Sequence, residues 1–228
     1  MKIATRAQLN IRPIAGSLAA EVRGVDLRTP VGDNLRATLR AALLDHLVLF
    51  YPDQHLENAQ HKAFGKTWGD LVTCDVAPTS DSDPEMVELA ASDGRTADVW
   101  HTDQTFQPDP PMGSILNMIK SPAAGGATMW CSQYEAYDTL SAPMKELLGG
   151  LTAMHELPLA LQRNLKNPNA SPLSGTEHPV VRTHPETGRK FLHVNRMYTS
   201  RILQLARYES DALLALLFSC PHAYHSTS

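Results

Sequence analysis

Leucines recur at every fourth position between residues 35 and 43, so that they share one face of an amphipathic helix. We predict this helix over residues 34–46, and further helices over residues 57–68, 132–140, 142–148 and 211–218. Asp33 or Asn34 can cap the first helix, and Ser210 can cap the last, because short polar side chains accept hydrogen bonds from the free amides of a first turn.

Short apolar runs bounded by turn residues predict strands between these helices. Residues 125–130 are predicted to be a glycine turn that leads into a short strand. The other predicted strands are residues 9–14, 21–25, 47–51, 86–90, 114–119, 180–183 and 190–194. The last two are expected to form a hairpin around the Pro-Glu-Thr-Gly turn at residues 185–188. The polar segment 158–177 is predicted to be a loop with a functional role. Short strands mixed with a few helices indicate a mainly β fold, a sandwich or barrel with helical additions.

The composition is that of a globular protein, with 43% hydrophobic and 19% charged residues. A chain of 228 residues suffices for one domain with a sizeable core, and we predict a single domain over residues 1–228. The net charge of −4 and the lack of a basic block argue against nucleic acid and anionic membranes as partners. No signal peptide, membrane span or paired cysteine motif is evident, which predicts a cytoplasmic protein with no membrane partner.

His101 and Asp103 stand two positions apart in a His-Thr-Asp triplet. On a strand end or tight turn, both side chains can reach one ion. Two imidazoles and one carboxylate on one face of the metal are the ligands of non-haem Fe(II) oxygenases, so the triplet is a candidate for half of such a site. The alternative is an ordinary polar turn, which is the commoner origin of such a pair when it stands alone.

The residues around this triplet, together with other segments in the same order, resemble the TauD/TfdA family of Fe(II)- and 2-oxoglutarate-dependent dioxygenases. The matching segments are residues 24–27 (GVDL), 64–69 (FGKTWG), 100–106 (WHTDQTF), 125–128 (GGAT), 178–190, 194–195 (VN) and 201–202 (RI). The resemblance covers nearly the whole chain, to about Phe218. Its combination of segments is more specific than any single motif.

The resemblance implies a double-stranded β-helix, or jelly-roll, with helices packed outside. It implies that His101 and Asp103 are metal ligands and that Thr128 hydrogen-bonds a carboxylate of 2-oxoglutarate. Without the two glycines before it, Thr128 would be interpreted as an ordinary strand residue. Ala127 departs from the family, which commonly has Asp there. The implied cofactor is Fe(II), with 2-oxoglutarate and O2 as cosubstrates. The implied reaction couples oxidative decarboxylation of 2-oxoglutarate to hydroxylation of a C–H bond.

The family also places a distal His ligand, and an Arg for the far carboxylate of 2-oxoglutarate, well downstream of the triplet. Here no Arg follows residue 207. His222 and His225 stand in a terminal segment that we interpret as a tail rather than as ligands. We therefore expect a jelly-roll that is incomplete at its C-terminus, with an open sheet edge and little or no dioxygenase activity.

The resemblance implies a small organic anion as the substrate. Taurine is disfavoured, because residues 71–75 and 95–99 lack the His and Asn with which taurine-type members bind a sulfonate. An alkyl sulfate, another sulfonate and an aryloxyalkanoate stay open. Tyr198 is either a pocket residue or a core aromatic, and the loop 158–177 is expected to act as a lid. The alternative functions are an inactive remnant or a binding protein with the same fold, and a zinc hydrolase lacks a visible third ligand. A homo-oligomer also stays open.

Overall fold

The computed structural model describes residues 8–16, 18–73, 79–80, 83–89, 99–162 and 175–219. Several sequence predictions lie outside these residues: most of the lid segment (163–174), the substrate-related residues 95–98, and His222 and His225. The chain divides into two compact units. Unit 1 comprises Met1–Val72 and Ile115–Ser132, and unit 2 comprises Thr73–Ser114 and Gln133–Ser228. The single-domain assignment stays a prediction.

Unit 1 contains a three-stranded sheet and two helices. Its elements are β1 (Asn10–Pro13), β2 (Ala20–Arg23), α1 (Asp33–His46), β3 (Leu49–Phe50) and α2 (Asn58–Lys66). The sheet order is β1-β2-β3, with an antiparallel first pair and a parallel second pair. Val22, Leu39 and Phe64 form the centre of the core of unit 1. Burying each of these large side chains contributes about 1.5–3 kcal/mol.

The two helices of unit 1 begin in different ways. Gly32 is the N-cap of α1 and offers no side-chain acceptor, so the prediction that Asp33 or Asn34 caps this helix is wrong. Asp33 instead lies in the first turn, where its carboxylate interacts favourably with the positive end of the helix dipole. α2 begins with a capping box, in which Glu57 and Gln60 each accept a backbone hydrogen bond from the other.

The Gly-Val-Asp-Leu segment, residues 24–27, is a turn that requires glycine at its first position for steric reasons. Gly24 has φ +84°, and a Cβ at this position would collide with the carbonyl oxygen of Gln8. The turn is held from the other side by Gln54. Its Oε1 accepts from the Leu27 amide at 2.9 Å, and its Nε2 donates to the Val25 carbonyl at 3.3 Å.

Unit 2 holds the remaining sheets and helices. Its elements are β4 (Thr79–Ser80), β5 (Asp83–Val87), α3 (Gln133–Asp138), α4 (Ala142–Leu148), β6 (Thr152–His155), α5 (Leu159–Gln162), β7 (Thr176–Pro179), β8 (Val181–Thr183), β9 (Lys190–Leu192), β10 (Thr199–Ile202) and α6 (Arg207–Ser219). The antiparallel sheet β10-β6-β7 has β6 at its centre, and β8 pairs with β9 as the predicted hairpin. Leu148, Leu192, Ile202 and Leu217 are among the buried residues of its core.

Four further predictions about elements are wrong. No strand is assigned to residues 114–119 or after the glycine turn in residues 125–130, and the predicted loop 158–177 contains the helix α5 and the start of β7. The fourth concerns Ser210, which was predicted to cap the last helix. α6 begins at Arg207, four residues before the predicted start, and the Glu209 carboxylate caps this end by accepting from the Ala206 amide. Ser210 is instead buried inside α6, where its Oγ accepts from the Ile202 amide at 2.8 Å.

The described residues therefore form mixed sheets with helices, as predicted, and their helices contain more residues than their strands. The jelly-roll and its incompleteness at the C-terminus stay predictions. Within these residues no helix is both long and apolar enough to cross a membrane.

Candidate active site

The two predicted metal ligands lie side by side on a loop of unit 2. His101 Nε2 is 3.3 Å from Asp103 Oδ1. Two ligand atoms at about 2.1 Å from one metal ion, and at right angles to each other, are about 3.0 Å apart. The side chains are 24% and 54% exposed, so the pair opens to solvent or to a bound molecule. The geometry therefore fits two adjacent positions around one metal ion.

A backbone contact fixes the His101 ring for this role. Its Nδ1–H donates to the Val99 carbonyl at 2.9 Å, which turns Nε2 toward Asp103. This is the usual arrangement of a metal-binding histidine, whose second nitrogen is held by a neighbouring acceptor. The hydrogen bond to Asp103 raises the pKa of His101, and partial burial opposes that rise. A metal ion at Nε2 would displace the proton shared with Asp103.

The turn that follows Asp103 is strained and is tied to the core of unit 2. Gln104 has φ +51°, a left-handed conformation that is uncommon for a residue other than glycine. The Gln107 amide donates to the Gln104 carbonyl at 3.0 Å and closes the turn. Thr105 is fully buried, with its Oγ1 2.9 Å from His155 Nδ1 and 3.0 Å from Asn195 Nδ2.

His155, His178 and His193 form a buried cluster beside this turn. The centroids of their rings are 5.0–5.3 Å apart. Burial lowers the pKa of His155 to about 4 and that of His193 to about 3. No role was predicted for Thr105, His155 or Asn195 from the sequence. Thr105 and Asn195 stand in segments that match the family, which was the only available signal.

Tyr198 both packs in a core cluster and lines a cavity. Its ring centroid is 5.3 Å from that of Phe106, and both residues are buried together with Leu157. The same Tyr198 borders a cavity of about 550 Å³, whose lining also includes Glu156, Leu157, Gln162, Met197 and Ser200. The two interpretations of Tyr198 are therefore compatible. The structure brings this residue to the turn that carries Asp103.

Thr128 belongs to unit 1, in an exposed segment without assigned strand structure. The glycine turn predicted before it is present, since Gly125 and Gly126 have φ +78° and +70°. Nearby, Trp130 packs edge-on against Phe50, with ring centroids 5.4 Å apart. The role of Thr128 toward 2-oxoglutarate stays a prediction.

Among the residues that the structure describes, no group of three His, Cys, Asp or Glu side chains could hold a metal ion. Two adjacent donors such as His101 and Asp103 would fill two of the three positions of a facial triad, and their role as metal ligands stays a prediction. One nitrogen and one carboxylate oxygen, adjacent and partly exposed, suit Fe(II) in type and in spacing.

Comparison with known proteins gives consistent matches over most of the chain. The family described as "Taurine catabolism dioxygenase TauD, TfdA family" matches residues 10–225. An alpha-ketoglutarate-dependent sulfate ester dioxygenase of Pseudomonas putida is 34% identical, over 92% of this chain and 73% of its own length. An alkylsulfatase of Acinetobacter baylyi is 32% identical, over 92% of this chain and 70% of its own.

A solved structure agrees with these matches. The crystal structure of a taurine dioxygenase from Burkholderia xenovorans superposes with a TM-score of 0.81, at 34% identity, over 93% of this chain and 72% of that one. The family resemblance seen in the sequence is thereby confirmed, and with it the enzyme class and the family's use of Fe(II), O2 and 2-oxoglutarate, which is α-ketoglutarate. The chain belongs to the TauD/TfdA family of 2-oxoglutarate-dependent dioxygenases.

Proposed function

We propose that this chain is a 2-oxoglutarate-dependent oxygenase that hydroxylates a small organic anion, with an alkyl sulfate ester as its first substrate class. The observation that carries the proposal is the pairing of His101 Nε2 with Asp103 Oδ1, at a separation that suits one metal ion. The family membership of the chain supports the reaction type.

Each site residue has a distinct task in this proposal. His101 and Asp103 hold Fe(II), and the Val99 carbonyl keeps the His101 ring in the orientation and tautomer that binding needs. Thr128 donates a hydrogen bond to a carboxylate of 2-oxoglutarate. Bound Fe(II), with 2-oxoglutarate and O2, supplies the oxidation of a C–H bond. The protein contributes orientation of the substrate and exclusion of water.

The cavity beside Tyr198 suits the alkyl part of such a substrate. Leu157, Met197 and Tyr198 give it apolar walls, while the Glu156 carboxylate on its lining disfavours an anionic head group at that end. The names of the Pseudomonas and Acinetobacter relatives favour a sulfate ester over a sulfonate. Hydroxylation of the carbon that bears the ester oxygen gives an unstable product, which releases sulfate and leaves an aldehyde.

A second candidate function is a protein that keeps the fold without turnover, as an inactive remnant or a binding protein. It is favoured by the two-ligand donor set of the described residues, because each missing protein ligand is replaced by water and weakens metal binding. On this ground we propose that turnover by the 228-residue polypeptide is low.

The first arm of the test measures metal binding. Calorimetry with Mn(II), a redox-stable substitute for Fe(II), is carried out on the wild type and on His101→Ala and Asp103→Ala. We expect each substitution to weaken binding by at least about tenfold, because a ligand is lost. His184→Ala and Asp211→Ala are the matched controls. They remove a histidine of the β8–β9 turn and an aspartate paired with Arg207 on α6, and should leave the affinity unchanged.

The second arm measures turnover. The wild-type polypeptide receives Fe(II), ascorbate, 2-oxoglutarate and one of hexyl sulfate, hexanesulfonate, phenoxypropionate or taurine. Release of both succinate and free sulfate when hexyl sulfate is the substrate supports the first candidate. Binding of Mn(II) and 2-oxoglutarate without succinate supports the second. If His101→Ala and Asp103→Ala bind Mn(II) as the wild type does, the assigned metal site is wrong.

A further inference from the structure

The segment that carries the two metal ligands is not part of any sheet. Residues 103–106 form a turn, and residues 107–109 a bend, which leaves them without ladder hydrogen bonds. Gln104, directly after Asp103, is in the strained left-handed region. Such a conformation persists only where the surrounding structure holds it in place. Contacts from elsewhere in unit 2 must therefore fix this segment.

Five side chains make those contacts, and we call them the turn clamp: Thr105, His155, Thr176, His178 and Asn195. Thr105 Oγ1 contacts His155 on β6 and Asn195 before β10. On β7, Thr176 Oγ1 donates to the Phe106 carbonyl at 2.6 Å, and His178 Nε2 donates to the Gln107 carbonyl at 3.0 Å. Three consecutive residues after the ligands are thus tied to one sheet and to the loop that enters it.

The hydrogen bonds at the centre of the turn clamp have a defined direction. Asn195 Oδ1 accepts from the amides of Met197 and Tyr198, which orients the amide group so that Nδ2 donates to Thr105 Oγ1. The Thr105 hydroxyl then donates its own hydrogen to His155 Nδ1, which must be unprotonated. The strong burial of His155, which lowers its pKa to about 4, keeps the ring neutral and suited to accept this hydrogen.

His155 lies in the central strand of the sheet β10-β6-β7, opposite Thr199 on one side and Thr176 on the other. A central strand is a rigid anchor, and functional groups held by strands keep their positions better than groups held by loops. The turn clamp therefore connects the central strand of this sheet to the residues that follow Asp103.

We propose that Thr105 and His155 are positioning residues, which hold His101 and Asp103 at the spacing of a preformed metal site through the turn clamp. The inference rests on the proposed function only in that His101 and Asp103 are taken as metal ligands. Groups that hold ligating residues in place are worth about 10–100-fold in metal affinity. Neither residue touches the metal in this scheme.

Thr105→Val tests the proposal, because it keeps the shape of the side chain and removes both hydrogen bonds. Thr105→Ser restores the hydroxyl. Ser210→Ala is the matched control, since it removes a buried hydroxyl of the same unit that accepts from Ile202 and does not contact the turn. The measurements are hydrogen exchange of the backbone amides of residues 103–107 in the metal-free protein, and Mn(II) affinity by calorimetry.

We expect Thr105→Val to speed exchange of these amides by about tenfold and to lower Mn(II) affinity by about 10–100-fold. Thr105→Ser should stay close to the wild type in both measurements, and Ser210→Ala should lower stability without either effect. Thr176→Val, at a half-buried position, is the second variant if Thr105→Val does not fold, with the same signs of change expected.

The proposal is overturned if the amides of residues 103–107 exchange in Thr105→Val at the wild-type rate. It is also overturned if Thr105→Val and Ser210→Ala change amide exchange and Mn(II) affinity equally. If Thr105→Val does not fold, wild-type exchange in Thr176→Val overturns it. Exchange is measured without metal, so a wild type that binds no Mn(II) contradicts the proposed function while the exchange arm still decides on the turn clamp.

Discussion

Two buried histidines, His155 and His193, make the stability of unit 2 sensitive to pH. His193 Nε2 lies 3.3 Å from Arg182 Nη1, which can only donate, so the His193 ring accepts and is neutral. Burial is the main cause of the low pKa of His155 and His193, and the charges of Arg182 and His178 lower both values further. Both rings therefore stay neutral in the fold at pH values where exposed histidines are charged.

This arrangement predicts that stability falls in acid. The folded pKa values, about 4 and about 3, lie below the ordinary 6.5, so the unfolded chain binds more protons below pH 6.5. The stability that the two neutral rings contribute is fully present above pH 6.5, and it is lost as the pH falls toward 3. We expect the free energy of unfolding, measured with urea between pH 7 and 4, to drop by up to roughly 3 kcal/mol per pH unit.

His193→Asn tests which residues cause this slope. The Asn amide oxygen can still accept from Arg182, and the variant carries one titrating ring fewer, so its slope should be about half that of the wild type. A stability that is flat between pH 7 and 4, or a slope that the substitution leaves unchanged, contradicts the assignment.

The two proposed ligands are visible in the sequence, but the residues proposed to hold them are not. His101 and Asp103 stand in one short triplet, so their chemistry is visible in the local sequence. Thr105 and His155 are 50 residues apart and meet only because β6 pairs between β7 and β10. A buried polar residue is recognisable only once its hydrogen-bond partners are known.

At the level of elements, the β1–β2 pair requires glycine at residue 24, directly after β2. Its positive φ excludes most side chains, and a Cβ would meet the backbone of Gln8 and Leu9 just before β1. We expect Gly24→Ala to lower the free energy of unfolding by at least about 2 kcal/mol, because strain and collision add.

Gly16→Ala is the control for this prediction. No atom lies within 4 Å of a Cβ at residue 16, and its φ is not positive, so the variant should be neutral or slightly stabilising. Urea denaturation of both variants checks the contrast. Equal stability of the two would contradict the steric argument.

Local signals predicted helices better than strands. The bounds of α4 were predicted correctly at both ends, and those of α1 to within one residue. Helices are easier to predict because their periodicity, and the proline or glycine residues at their ends, lie within or next to the element itself. β6, β7 and β10 were missed, because a strand of four residues depends on its partners. Residues 114–119 show the reverse error. There Asn117 Nδ2 donates to the Leu56 carbonyl, which is a side-chain contact and not part of a ladder.

At the scale of the whole molecule, unit 1 exposes several large apolar side chains in the segment 115–130. We call this set the apolar stripe: Ile115, Leu116, Met118, Ile119, Met129 and Trp130. Ile119 is 84% exposed and Met129 is 69% exposed. Large apolar side chains exposed to water favour association.

We therefore predict that the 228-residue polypeptide self-associates through the apolar stripe. Sedimentation velocity across micromolar concentrations should show a species that grows with concentration. Met118→Lys combined with Ile119→Lys should weaken association by at least about tenfold, because two charges would have to be buried in the contact. Leu147→Lys changes an equally apolar side chain, 51% exposed on α4 and outside the stripe, and should associate as the wild type does. A wild type that is monomeric at every concentration contradicts the prediction. Equal weakening by Leu147→Lys shows instead that added charge alone, and not the stripe, controls association.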